Sequence, residues 1–294
     1  MQKIDNSKDN IIQMIKDLFI VPRDLMNKWS SITNQTAQVR LAYPSQHLAS
    51  MITGLPGVGT AARGDDLIDG TDVKSCSRAD QLGVCRNCSA RVMRHITTCP
   101  TCDSTDIEIK EDSHWIFSIR SESELNLLFI LPRILLILFD RDTENYIQVR
   151  AWQINPKNEY VKLFFSDYFL NNFQKKFKRG ERNIAPCNLH PLKYDFYMMS
   201  PILIFHAVII EDNISIKFYN LNNTKSESMP SILLSSDEWK LISKTLPKEL
   251  RRFKSKKEFS GSFPIINETQ RALLKMRIKK IKKNLTEYTR PSQR

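Results

Sequence analysis

Two groups of residues carry the types and spacing that chemistry requires. The first is a pair of Cys-x-x-Cys knuckles, Cys85-Arg-Asn-Cys88 and Cys99-Pro-Thr-Cys102, ten residues apart. Four thiolates at this separation form the donor set of a tetrahedral Zn²⁺ site of the zinc-ribbon kind. With all four positions filled by protein, such a site is structural and leaves no open position for substrate. His95 lies between the knuckles and is surplus to the ligand count, and Cys76 and Cys187 read as buried thiols without a ligand role. The second group is Asp66-Leu-Ile-Asp-Gly-Thr-Asp72-Val-Lys74. On a strand, Asp72 and Lys74 point to one face. Asp69-Gly70 is a hairpin turn signal that returns the Asp65-Asp66 end beside them. A two-residue loop brings Asp65 to that face, and a three-residue loop brings Asp66; residue parity alone leaves both open. Two carboxylates and an ammonium converging on a small patch suit Mg²⁺, which takes one or two carboxylates plus water and substrate phosphate. The metal would supply a low-pKa water and offset charge on a phosphodiester, and the lysine would assist either task.

These residues need a scaffold. Residues 7–53 read as three helices. The first carries the stripe Ile11, Ile12, Ile15, Leu18 and Phe19. Pro22 opens the second, with Leu25, Trp29 and Ile32 expected inward, and the third runs from about Ser45 to Thr53. The Gly-rich GLPGVGTAARG (54–64) lacks the Lys-Ser/Thr ending of a phosphate loop and reads as a connection. From residue 65 the period shifts to two. Strands are expected at 65–68, 71–76, 115–120, 134–139 and 146–152. A helix over 121–131 is opened by a Ser121/Glu124 capping box, and 164–178 is also helical. The apolar runs within 195–218 fit either element. The predicted fold class is α/β, a mixed central sheet flanked by helices, with a helical N-terminal segment and a zinc-ribbon-like insertion.

Charge narrows the partner. The chain has 294 residues and a formal net charge of +12, and residues 241–294 hold 16 Lys/Arg against 4 Asp/Glu. The rest is neutral, so the excess sits in the last fifth. There the segment 267–285 is amphipathic: Leu274, Ile278, Ile281 and Leu285 form a stripe, and Lys275, Arg277, Lys279, Lys280, Lys282 and Lys283 cover the other sides. A basic face held to a body by an apolar stripe suits a phosphate backbone. The insertion adds Arg86, Arg91 and Arg94. No stretch is apolar and long enough to span a bilayer, and MQKIDNSKDN has no signal-peptide layout. The expected location is the cytoplasm, with no membrane partner.

The D…DxK pattern with strand, helix and strand following resembles the PD-(D/E)xK nuclease superfamily. GLPGVGTAARGDDLIDGTDVKSCSRADQLGVCRNC and HWIFSIRSESELNLLF are more narrowly similar to a MamI-like group of type II restriction endonucleases. The resemblance covers about residues 44–155 best. It implies a nuclease core in which a three-strand meander carries the site, and Mg²⁺-dependent hydrolysis of double-stranded DNA at a specific sequence. It also implies that Asp66 and Asp72 hold the metal and that Lys74 is the catalytic lysine. Here no Pro precedes the first aspartate, and Asp72 stands where Glu is more usual. Many members add an acid or Gln from the preceding helix, where Gln46 is the candidate. A homodimer on two-fold symmetric DNA and a cognate DNA methyltransferase are the expected associations. The implied division is a helical segment (1–60), a nuclease core (61–155) with the zinc-binding insertion (84–104), and a C-terminal DNA-binding region (156–294) with the basic helix (267–285). Two rival readings remain: a non-catalytic zinc-ribbon DNA-binding regulator, which needs no D…DxK cluster, and a repair or recombination nuclease of the same superfamily.

Overall fold

The computed structural model describes residues 4–35, 37–59, 65–109, 112–143, 146–191 and 193–226. The basic segment 267–285 and its six Lys/Arg candidates lie outside the described residues. The chain divides into two compact units.

The first unit comprises residues 1–115, 133–153 and 202–225. It opens with helix α1 (Lys8–Ile15), a π-helical turn (Lys16–Ile20), α2 (Val21–Thr33) and α3 (Ala42–Thr53). Its main sheet has the order β1 (Asp72–Ser77), β6 (Ile134–Thr143), β7 (Tyr146–Ile154), β9 (Ile202–Ile210) and β10 (Asn213–Tyr219). β1 and β6 are parallel, whereas β9 is antiparallel to both β7 and β10. Both faces of β6 are covered, which explains its unbroken apolar run from Ile134 to Phe139. On one face Leu135, Ile137, Phe139 and Val149 meet Ile11, Ile15 and Phe19 of the first helical stretch and Leu48 and Ile52 of α3. Phe19 stacks on Phe139 at 4.4 Å. Each such buried side chain contributes about 2 kcal/mol, so this apolar layer dominates the unit.

The opposite face of the sheet carries charge. Asp140, 1% exposed, accepts from Arg78 Nη1 at 2.7 Å and from Arg150 Nη2 at 3.0 Å. Burial pushes the Asp140 carboxyl up, but Arg78 and Arg150, with Arg94 and the Arg141 N–H adding, hold it below its ordinary value. His206, opposite Arg150 across β7 and β9, bonds Gln148 Oε1 at 3.1 Å.

Three expectations are corrected. Leu25, Trp29 and Ile32 are not inward: they are 51%, 56% and 64% exposed. Arg23 supplies the buried contact of α2 instead, forking onto Asp80 at 2.8 and 2.9 Å. Residues 65–68 do not form a hairpin with 71–76. Leu67 pairs with Gly57 of the Gly-rich connection in an antiparallel bridge, and Ile68 N bonds Pro56 O at 3.1 Å. Finally, Trp115 to Arg120 does not extend that hairpin into a meander. β5 (Trp115–Phe117), at the unit boundary, joins β8 (Cys187–Leu189) in a separate two-stranded sheet.

The insertion forms its own three-stranded antiparallel sheet, with β2 (Leu82–Cys85) between β3 (Arg91–Met93) and β4 (Ile107–Glu108). Gly83 admits the neighbouring backbone: a Cβ there would lie 2.9 Å from Glu108 O.

The second unit includes α4 (Glu122–Ile130), α5 (Glu159–Tyr168), a π-helical turn (Phe169–Phe173), α6 (Gln174–Lys178) and α7 (Tyr194–Met198). The predicted Ser121 cap is present, its Oγ accepting from Glu124 N at 3.1 Å, while Glu124 Oε2 reaches one residue past the cap to accept from Arg120 N at 2.6 Å. Phe117 packs on Phe165 with ring centroids 4.7 Å apart. No helix among the described residues is long and apolar enough to cross a membrane.

Candidate active site and candidate metal centre

β1 places Asp72 and Lys74 two residues apart, aligned with Ile134 and Leu136 of β6. Val73 between them belongs to the helix-covered core, so Asp72 and Lys74 face the other side of the sheet. Lys74 Nζ donates to Asp72 Oδ1. Asp72 is 6% exposed, and the Lys74 side chain retains 27%. The ammonium can thus reach solvent or a substrate while the carboxylate is held in the fold.

Asp66 reaches this pair from the preceding turn. Its Oδ2 accepts from the Val73 N–H at 2.6 Å, and its Oδ1 accepts from Gln46 Nε2 of α3 at 2.5 Å. Burial raises the Asp66 carboxyl above its ordinary value. The Val73 N–H opposes the rise, and the nearby Asp72 charge adds to it. Two carboxylates forced together in this way favour a cation between them. Asp65, the other candidate, is exposed. The turn delivers Asp66 by reversing at Gly70, whose φ of 88° suits glycine and whose N–H bonds Leu67 O at 2.9 Å.

The four cysteines of the knuckles also converge. Their Sγ atoms all lie within 4.8 Å of one another. Cys85 to Cys102 and Cys88 to Cys99 are each 3.6 Å apart. A tetrahedron of thiolates about 2.3 Å from a Zn²⁺ has edges of about 3.8 Å, so the donor set fits. The two knuckles repeat one geometry. Ser89 N bonds Cys85 O at 2.8 Å, and Asp103 N bonds Cys99 O at 2.9 Å. Ser89 and Asp103 are both left-handed, with φ of 62° and 56°. The Cys88 N–H pulls the Cys85 thiol down to about 6, toward the thiolate that binds metal. His95 takes no part in the cluster: its Nδ1 lies 3.0 Å from Arg141 Nη1. Cys76 and Cys187 are buried and outside the cluster.

Sequence reasoning missed the polar residues that frame these sites: Arg23 with Asp80, Arg78 and Arg150 with Asp140, and Arg133. A signal existed at two of them. Asp140 ends the strictly apolar run ILLILF, and Arg133 begins it, both odd placements unless the charge has a partner.

The fold is mixed α/β, with a carboxylate-lysine cluster on one sheet face and, in an insertion, a four-thiol cluster that could hold a metal ion. Residues 28–237 match the family described as MamI restriction endonuclease, and the chain belongs to that family. The type II restriction enzyme MamI of Microbacterium ammoniaphilum is 43% identical over 61 residues. That stretch spans 21% of this chain and 20% of the relative. No solved structure matches the chain.

Proposed function

We propose that the protein is a type II restriction endonuclease that hydrolyses phosphodiester bonds of double-stranded DNA at a specific sequence and depends on Mg²⁺. The observation that carries this reading is the convergence of Asp66, Asp72 and Lys74 on one sheet face in a chain of this family. The cluster suits the PD-(D/E)xK type of chemistry, although the strand order around it departs from the implied meander. Asp66 and Asp72 would hold Mg²⁺, which when bound supplies a low-pKa water and charge compensation at the phosphate. Gln46 orients the Asp66 carboxylate, and the Val73 N–H fixes its other oxygen. Lys74, paired with Asp72 and partly exposed, is placed to hold a proton or offset phosphate charge.

Zn²⁺ in the Cys85, Cys88, Cys99 and Cys102 cluster would be structural. The Lys/Arg of segment 267–285 would contact DNA phosphates. A homodimer would supply two centres for the two strands, one from each copy. The enzyme would act in the cytoplasm beside a cognate methyltransferase. A zinc-ribbon regulator accounts for the cysteines and the basic segment but gives no reason for the Asp66–Asp72–Lys74 cluster.

The test is incubation with plasmid DNA. Discrete fragments with Mg²⁺ and intact plasmid with EDTA are expected. Intact plasmid with Mg²⁺, across substrates of diverse sequence, would contradict the proposal.

A further inference from the structure

Asp66 sits on a turn, and its place beside Asp72 depends on what fixes that turn. Inside it, Asp66 N and Leu67 N bond Thr71 O at 2.9 and 3.1 Å, and Thr71 N bonds Asp69 Oδ1 at 3.0 Å. Gln46 holds the Asp66 carboxylate itself, and a second side chain from elsewhere in the sequence grips the rest of the turn. Arg133 donates from Nη2 to Asp69 Oδ2 at 2.9 Å and from Nε to Thr71 Oγ1 at 2.8 Å. Both Asp69 oxygens are therefore in use, one inside the turn and one toward Arg133.

Arg133 also lies directly before β6. Its carbonyl accepts from Asp72 N at 3.4 Å, and the next residue, Ile134, is the β6 partner of Asp72. A single residue thus holds the turn that carries Asp66 and, through its backbone, the strand start that carries Asp72. The two carboxylates repel, so the turn needs an external hold to keep Asp66 in place. A guanidinium fork can bridge a carboxylate and a hydroxyl in fixed geometry, which a lysine ammonium does not reproduce.

We propose that Arg133 is a positioning residue of the nuclease centre, setting the separation of Asp66 and Asp72 through Asp69 and Thr71 and touching neither carboxylate. This rests on the reading that Asp66 and Asp72 hold a divalent cation. It also assigns Asp69 a role as the anchor of Arg133 and not as a third metal ligand.

The test is Mn²⁺ binding to the full chain, followed by electron paramagnetic resonance of the free ion, for wild type, Arg133→Gln, Asp69→Asn, the double variant and Asp66→Asn. Each variant's melting temperature is measured alongside, and binding is read well below it. Arg133→Gln and Asp69→Asn should each weaken Mn²⁺ binding roughly ten- to hundredfold, as loss of an outer partner does. The double variant should be no weaker than Arg133→Gln alone, because the Asp69 contact is already lost with the guanidinium. Should Arg133→Gln fail to fold, Asp69→Asn remains a test at a partly exposed, near-isosteric position. Wild-type affinity in the folded Arg133 or Asp69 variants, with binding lost in Asp66→Asn, overturns the proposal. Failure of the wild type to bind, or wild-type binding by Asp66→Asn, contradicts the metal reading beneath it.

Discussion

The two clusters are built on opposite plans. The cysteine centre is local: its four donors span Cys85 to Cys102, and each knuckle makes its own turn from the bonds of its own backbone. The carboxylate-lysine centre is assembled at a distance. Asp72 and Lys74 are placed by parallel pairing with a strand more than sixty residues later, and Asp66 is held by Gln46 from a helix twenty residues earlier. A local site is written in spacing. An assembled one depends on which elements pair, and spacing alone does not say that.

The largest effects separate the two plans. Asp72→Asn and Lys74→Ala should each slow DNA cleavage by at least about 10³-fold, roughly 4 kcal/mol of transition-state stabilisation, while DNA binding in a filter or anisotropy assay persists. Cleavage at the wild-type rate by either variant would remove the assembled centre from the chemistry. Cys88→Ser should act differently. Elemental analysis is expected to find one Zn per chain in the wild type and none in the variant, with a clear fall in melting temperature, because binding energy at such a site is folding energy. A metal-free wild type of normal stability would leave the cysteine cluster without its assigned role.

This contrast also decides what was legible. The helices, the Ser121/Glu124 cap and the buried 134–139 strand follow from local periodicity and are present. Asp69-Gly70 correctly marked a turn, but the partner of residues 65–68 is the Gly-rich connection, because burying Leu67 in the core draws the segment there. The stripe Leu25, Trp29 and Ile32 has helical spacing but lies outward, since the Arg23–Asp80 fork fixes the other face of α2. Residue parity left Asp65 and Asp66 open; the Gln46 and Val73 bonds bring the Asp66 carboxylate beside the Asp72 strand. Charged anchors such as Arg133 and Asp140 have no periodicity, so only their intrusion into apolar runs could have flagged them.

Two smaller effects concern the charged sheet face that continues from Asp72 and Lys74. Asp140→Asn removes the anion shared by two buried guanidiniums and should cost about 3 kcal/mol of stability, read as a lower urea midpoint. An unchanged midpoint would mean that Arg78 and Arg150 find equal partners elsewhere. The smallest effect is a pH dependence. Burial, with Arg150 and Lys217 adding, pushes His206 down to about 4 from an ordinary value of 6.5. Between those values the unfolded chain takes up a proton that the folded chain refuses, so stability should fall as pH drops from about 6.5 to about 4. His206→Gln, next to Gln148, should flatten that slope in a series of denaturation curves; an equal slope would assign it to other groups.

The proposed centre requires Asp66, and not its neighbour, to join Asp72 and Lys74. The direct measurement is the Mg²⁺-dependent cleavage rate of Asp65→Asn beside Asp66→Asn on the same DNA. Asp65→Asn should cut within about twofold of wild type, as befits an exposed side chain outside the cluster, while Asp66→Asn should be slowed by about 10³-fold. Retained activity in Asp66→Asn, or loss confined to Asp65→Asn, would remove Asp66 from the centre.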